Sequence, residues 1–586
     1  MIIRLALLSL LGCVSLAAPA AEPGLVGHWK LRGDGRDHSG NGHHGIAHNV
    51  DLAKGTFNGT SSYLEVPSSP AFDFGTNDFS ITAWIHTEPG VRDVVGDLVT
   101  RFDPATRIGL NLTINAANPG YNSQGDVRHI FFGIDHGTSG SWSDCGRPGG
   151  KAHSSDSLTV FNGELYAGTT DGPDEADWAH VYRYRSEGVW EDCGRLGTGR
   201  TRGVYAMIVH DGSLYAATSA SHGRQPDSMS YGRVYRFRGG QQWEDLGQPG
   251  QNYRLNSLAS FRGKLYVAAF NIGPAPGHCY VYAGDRTWRE CGEFEGWPHT
   301  LAVHDDRLYA AYPQGDVFAY DGTNWENLGN PLGSKERCTQ IHAMGVYGGE
   351  LYAGTWPTGN VAVLRDKKWV DLGRLGDATE TVGLTVYNGS LYAGTIPRAE
   401  LFRFDGPHQW TSIRRLFDPP GFKPVPVGES GPGVADWSRA SSFAVFRGKL
   451  FVSTATCYRT NIPSPLPGEP RGNVFALTVG TSVSVDRDLG PGSKHIAAVR
   501  KGRSLMLYVD GELAASCETA AAVDLSNDLP LLIGHGPQAH FRGAMNDVRL
   551  YNRALAADEV RELNSIRRKS RNEAGGCALL SHPGRL

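Results

Sequence analysis

Seven short stretches of this chain concentrate the residue types that do chemistry: KAHSSDSLTV, GRTRGVYAMIV, QNYRLNSLAS, FEGWPHTLAV, ERCTQIHAMGV, DATETVGLTV and VADWSRASSFAV. They supply His153, Asp156, Arg202, Tyr205, Tyr253, Arg254, Trp297, His299, His342, Glu380, Trp437 and Arg439 as candidate ligand-binding residues. The mixture suits a sugar, since aromatic faces cover apolar C–H surfaces and charged groups bind hydroxyls or a carboxylate. A lyase would use Arg202, Arg254 or Arg439 to neutralise a uronate carboxylate, and His299, His342 or Tyr253 to move the proton α to it. A glycosidase needs two carboxylates, for which Asp156 and Glu380 are the main candidates. The plainer alternative is that these are loop side chains facing water or packing on their neighbours.

What positions these stretches is a repeat. Each follows a Trp-Gly motif (Trp142, Trp190, Trp243, Trp288, Trp325, Trp369 and Trp410) and runs into a phrase such as VFNGELYAGT or VYNGSLYAGT, whose Leu stands at 165, 214, 265, 308, 351, 391 and 450. A short aromatic strand then follows, as in VYRY at 181 or VFAL at 474. The spacing of about 40 to 59 residues is that of a four-stranded propeller blade, and each landmark occurs seven times. The expectation is a seven-bladed β-propeller over 138–481 in which the strand around Trp142 completes the blade formed near 443–477. The Trp and Leu-Tyr positions are constant because they solve one packing problem seven times, whereas the linking stretches differ as an asymmetric ligand requires.

A ring whose ends meet can sit in a loop of another domain, so 21–137 and 482–565 are expected to be two parts of one host. Before the ring stand FNG at 57 and FSITAWI at 79; after it stand LYVDG at 507 and GAMNDVRLYNRAL at 543. On these motifs the host resembles the laminin G-like, concanavalin A-type jelly-roll family, over about 200 residues. The fold class is therefore all-β: a concanavalin A-like jelly-roll sandwich interrupted by a seven-bladed propeller. The resemblance implies a binding module for glycans or proteins. It also implies calcium near a rim loop, for which DHSGNGHHG offers Asp37 and Asn41, with Asp547 completing the shell. The same residues could instead shape the loop through side-chain turns.

The first twenty residues read as a secretory signal, which makes the product secreted or periplasmic; the rival reading is a lipid anchor on Cys13. Eight further Cys form an even set compatible with disulfides, although Cys145, Cys193 and Cys291 occupy a repeat position where other units carry Leu, as small buried hydrophobes would. A net charge of -4 disfavours nucleic acid and anionic membranes, and no later segment is long and apolar enough to span a bilayer. The tail from 566 is polar and expected to be disordered. The sialidase Asp-box, the kelch repeat signature, Walker loops and HExxH are absent from the sequence. The leading expectation is thus an exported carbohydrate- or ligand-binding protein, with glycans or other extracellular proteins as partners. The alternatives are a carbohydrate-active enzyme, lyase or glycosidase, with its site at the propeller channel, and a protein-interaction scaffold.

Overall fold

The computed structural model describes residues 22–89, 96–115, 125, 127–197, 199–219, 231–271, 275–311, 315–418, 437–457, 471–519 and 522–565. The leader, Cys13 and the tail from 566 lie outside them. Among the described residues no helix is long and apolar enough to cross a membrane.

The jelly roll is built from both sequence halves at once. FSITAWI lies in the strand Phe79–Thr87, which pairs on one side with Gly492–Lys501 and on the other with Arg542–Tyr551. The facing sheet places Gly96–Asp103, Ile108–Asn115 and His129–His136 beside Thr481–Val485. Phe72, Phe79, Ile81, Leu112, Phe132, Leu507 and Leu550 meet in the core between the sheets. Each half leaves unpaired strand edges that the other completes, so neither should hold together alone.

The chain leaves and re-enters the sandwich at adjacent points. His129–His136 pairs with Thr481–Val485, and a few residues further on Ser141–Asp144 pairs with Val474–Thr478 inside the ring. Two neighbouring antiparallel pairs therefore carry the crossing, and the inserted ring leaves its host sheet intact.

The ring has seven blades. Their inner strands are Ser154–Phe161, Gly203–His210, Arg254–Phe261, Leu301–His304, Cys338–Tyr347, Glu380–Tyr387 and Trp437–Phe446, numbered here as blades 1 to 7. The strand carrying Trp142 is the outermost of blade 7. The repeated Trp has a specific task. Its indole Nε1 donates to the backbone carbonyl three residues after the Trp of the preceding blade: Trp190 to Cys145 at 2.9 Å, Trp243 to Cys193 at 2.9 Å, Trp325 to Cys291 at 2.8 Å and Trp410 to Leu372 at 3.1 Å. The ring is thereby stitched blade to blade at its outer edge, and the residue after the Trp-X-X step must be small or aliphatic to lie beneath the indole. That explains the Cys/Leu alternation. Cys145, Cys193, Cys279, Cys291, Cys338 and Cys517 are all free thiols, which corrects the disulfide expectation for the described residues; burial pushes the Cys145 and Cys193 thiols up to about 11.

The hairpins joining first and second strands in blades 1, 5, 6 and 7 rest on the sandwich. Gly163 N donates to Asp486 O at 2.8 Å, Gly348 N to Pro537 O at 2.7 Å and Arg447 N to Asp486 Oδ2 at 2.8 Å. The strand His129–His136 alternates accordingly: Ile130, Phe132 and Ile134 enter the sandwich core, while Phe131 packs against Tyr387 of the ring.

Asp97 lies fully buried close to this junction, its Oδ2 accepting the Gln538 and Ala539 amides at 2.8 and 3.2 Å. Burial pushes its carboxyl up to about 7 despite those two donors. A folded value above the unfolded one means the native state holds the proton more tightly. The stability so gained is complete at low pH and is lost as pH rises from about 4 through about 7. Asp97→Asn is expected to flatten this decline in urea unfolding measured from about pH 4 to 8; an unchanged slope would show that the native carboxyl is not held protonated.

Candidate functional site

The far ends of the inner strands of blades 1, 5, 6 and 7 rest on the sandwich, so these strands start on the opposite face, and neighbouring inner strands pack against each other round the ring. Polar residues near the starts of these strands come together there.

Blades 1, 2, 3 and 7 form one side. Asp156 is fully buried and its Oδ1 accepts Ser441 Oγ at 3.4 Å. Burial raises its carboxyl above the usual range, against the opposing charges of Arg439 and Arg254. Arg254 stands 5.3 Å over the Tyr205 ring and 5.6 Å over Phe270. Burial lifts the Tyr205 phenol well beyond its ordinary range, with Arg254 opposing, so it keeps its proton at all physiological pH. Asp171, pushed up to about 6 by burial and held down by Arg202 at 3.3 Å, completes this side.

The other side comes from blades 3 to 6. The His299 and His342 rings stack with centroids 4.2 Å apart. His299 Nδ1 meets Asn256 Nδ2 at 3.3 Å; His342 Nε2 meets Gln340 Oε1 at 2.8 Å and its Nδ1 meets Glu380 Oε1 at 2.8 Å. Burial, helped by His342, Arg254 and Arg439, drives the His299 pKa well below its ordinary value, so this imidazole is neutral. Burial opposes ionisation of Glu380, yet His342 and Arg439 outweigh it and the carboxyl sits below its usual range.

The sequence candidates therefore divide into two groups. Asp156, Tyr205, Arg254, His299, His342, Glu380 and Arg439 converge on the mouth. The rest stand on its rim: Trp297 stacks on Phe270 at 5.8 Å, Trp437 lies 4.1 Å beneath the Arg439 guanidinium, Tyr253 stacks on Tyr231 at 5.4 Å, and Arg202 covers Trp178 at 4.5 Å. His153 is half-buried near Arg202, where burial first, then Arg471, Arg147 and Arg202, depress its pKa. Asn256, Gln340, Ser441, Phe270 and Asp171 belong to the cluster but were not singled out from sequence. The first three lie two residues from a candidate and so share its strand face, a signal that period-two alternation carries. Among the buried atoms here, Arg254 Nε and Asn256 Oδ1 make no hydrogen bond to the described residues. Buried polar atoms are normally satisfied, so this mouth retains polar capacity for a ligand or water.

The expected calcium ligands do other work. Both Asp37 oxygens accept hydrogen bonds, Oδ1 from His28 N at 2.9 Å and Ser39 N at 2.8 Å, and Oδ2 from Ser39 Oγ at 2.8 Å and His43 N at 3.0 Å. Asn41 turns its Nδ2 toward the Leu25 and Val26 carbonyls, and Asp547 is held by His28 Nε2 at 2.6 Å and Arg549 Nε at 3.1 Å. Asp37 and Asp547 share a neighbour in His28; both Asp37 oxygens are filled by loop donors and Asn41 turns its amide nitrogen inward, whereas the contacts of Asp547 fall on Oδ1 alone. In this arrangement Asp37 and Asn41 shape the loop.

A model of the concanavalin A-like lectin/glucanase superfamily matches residues 450–561, from the last blade through the second part of the sandwich. No curated protein matches the chain. Among solved structures, virginiamycin B lyase from Staphylococcus aureus aligns at 9% identity over 58% of this chain and 99% of that chain, with a TM-score of 0.39. The sialidase of Trypanosoma rangeli aligns at 13% identity over 70% and 94%, TM-score 0.30, and YCF48 from Cyanidioschyzon merolae at 11% over 58% and 98%, TM-score 0.35.

Proposed function

We propose that this protein recognises an acidic carbohydrate at the mouth of the propeller channel, with the jelly roll as its companion glycan-binding module. One observation carries the reading: Arg254 and Arg439 flank the buried Asp156, facing the stacked His299 and His342, inside a rim of Trp297, Trp437 and Tyr253. Two guanidinium groups supply the planar donors that bind a carboxylate side-on, and the aromatic rim supplies faces for pyranose C–H surfaces.

A second reading, β-elimination, rests on a neutral imidazole and a protonated phenol at the same mouth. His299 can accept a proton and Tyr205 can donate one, each more weakly than the free side chain because burial depresses the first and raises the second. With the uronate carboxylate neutralised by Arg254, His299 would take the proton α to it while the 4-linked oxygen leaves with the Tyr205 proton, forming the C4–C5 double bond. A panel of uronate-containing and neutral polysaccharides separates the two. Binding to the acidic members with no new unsaturated ends in the ultraviolet supports recognition alone; absorbance that grows with time supports the lyase. Retention of neutral glycans in preference to acidic ones would sink both.

A further inference from the structure

Blade 3 breaks a charge pattern that the other six blades keep at one place on their outer edge, and we infer that the break is a divalent-cation site formed by His278, Glu290 and Glu293. In every blade a residue at or beside the start of the third strand lies near the second and the fifth residues after the Trp, at the end of the fourth strand. In blade 1 these are His180, Asp192 and Arg195, with His180 Nδ1 3.0 Å from Asp192 Oδ1. Blade 5 has Asn360 donating to Asp371 at 2.9 Å with Arg374 third, and blade 6 has Glu400 met by Ser412 Oγ at 2.5 Å and Arg415 Nε at 3.1 Å. Blades 2, 4 and 7 likewise hold one carboxylate each, met by Arg233, Asn327 and Asn473. The rule is one carboxylate per blade, compensated by a guanidinium, an amide or an imidazole.

Blade 3 holds two. Glu290 replaces the Asp192 of blade 1, and Glu293 stands where blade 1 has Arg195. The pairing puts both on the His278 face: His278 opposes Glu293 and Tyr280 opposes Glu290, with the register slipping one residue between them. That bulge is needed, since residues three apart on a regular strand point to opposite faces. One ligand atom from each residue lies within 4.8 Å of the other two, and His278 Nδ1 is 3.4 Å from Glu290 Oε2. His278 Nδ1 is buried and makes no hydrogen bond to the described residues, and no Lys or Arg among them is ion-paired with either Glu.

One imidazole nitrogen and two carboxylates form a mixed donor set that suits a borderline cation such as Zn²⁺ better than calcium or magnesium, which take oxygen alone. Zinc bonds of about 2.0–2.2 Å place donors roughly 3.3 Å apart, a tightening that the two exposed Glu side chains achieve by rotating. Three protein ligands leave a fourth position open to solvent.

The test is calorimetric titration of Zn²⁺ into the full chain, freed of metal by chelation and dialysis, and into three variants. Glu293→Arg installs the residue that blade 1 already carries at this place; Glu293→Gln is nearly isosteric and decides the matter if the Arg variant does not fold; His278→Ala removes the nitrogen. The expected result is one zinc equivalent in the wild type that weakens at least tenfold in each variant. Histidine pairs elsewhere, such as His299 with His342, would titrate equally in all four proteins, so only the difference reports on blade 3. No zinc binding, or binding that Glu293→Arg and Glu293→Gln leave unchanged, overturns the inference.

Discussion

Arg254→Met is expected to weaken binding of a uronate polysaccharide by about 2–4 kcal/mol, roughly thirtyfold to a thousandfold, because it removes a charge-assisted donor from a partly desolvated site. Met keeps an unbranched stem of similar length against Tyr205 and Phe270, so the packing under the guanidinium at 5.3 and 5.6 Å is largely preserved and the charge is what changes. Arg262→Met serves as control. That guanidinium pairs with Asp306 at 2.7 Å on the exposed hairpin side of blade 3, and its loss should leave affinity alone. The variant also carries a pH signature. Arg254 holds down the carboxyls of Asp156 and Asp171, which burial has already raised. Losing it raises both further. A raised carboxyl favours the native state when protonated, and that stability disappears as pH climbs through the native value. The melting temperature of Arg254→Met should therefore fall further below wild type at about pH 8 than at about pH 5. Equal affinity for the acidic glycan in Arg254→Met and wild type would remove Arg254 from the site.

The residues of this cluster were legible because seven copies of one unit serve as each other's controls. Positions that agree, such as the Trp whose indole bridges to the preceding blade, report packing; positions that disagree, such as Asp156, Tyr205, Arg254, His299, His342, Glu380 and Arg439, report what differs around the ring. The closure through Trp142 and the split host were legible for a related reason, since unpaired strands at both ends of a repeat have to find each other. Asp171 was missed because it lies after the second strand of blade 1, a connection that opens on the same face as the linking stretches but carries no repeated landmark. Calcium binding and loop shaping are not separable in the sequence, because an Asp-Ser-Gly-Asn loop satisfies an ion or its own amides with the same residue types. Only the positions of four donors around Asp37 distinguish the two.

The phrase VYNGSLYAGT shows where internal comparison misleads. Its Asn388 and Gly389 make the tight turn that the sequence calls for, with φ of 44° and 78°, as do Asn162 and Gly163 in VFNGELYAGT, with φ of 50° and 78°. As sequence the two turns are equivalent. In the fold, Asn162 is exposed and Asn388 is buried in the sandwich: its Oδ1 accepts Asn111 Nδ2 at 3.1 Å and its Nδ2 donates to Val479 O at 2.9 Å and Ile134 O at 3.3 Å. Both substitutions to Ala incur the left-handed backbone cost of about 1–2 kcal/mol. Asn388→Ala in addition strands the Asn111 donor and two carbonyls away from water, at about 1–3 kcal/mol for each group that finds no substitute. Asn388→Ala is thus expected to destabilise by about 3–5 kcal/mol and Asn162→Ala by about 1–2, read from the unfolding midpoints of the full chain in urea. The glycines should diverge in the same way: a Cβ at Gly389 would meet Phe102 at 2.6 Å, whereas at Gly163 it meets nothing within 4 Å. Equal losses at 162 and 388 would mean that the blade 6 hairpin does not bear on the sandwich. A larger loss at 388 makes this one copy of a packing motif the bolt that fixes the ring, and the channel mouth at its far end, to the host domain.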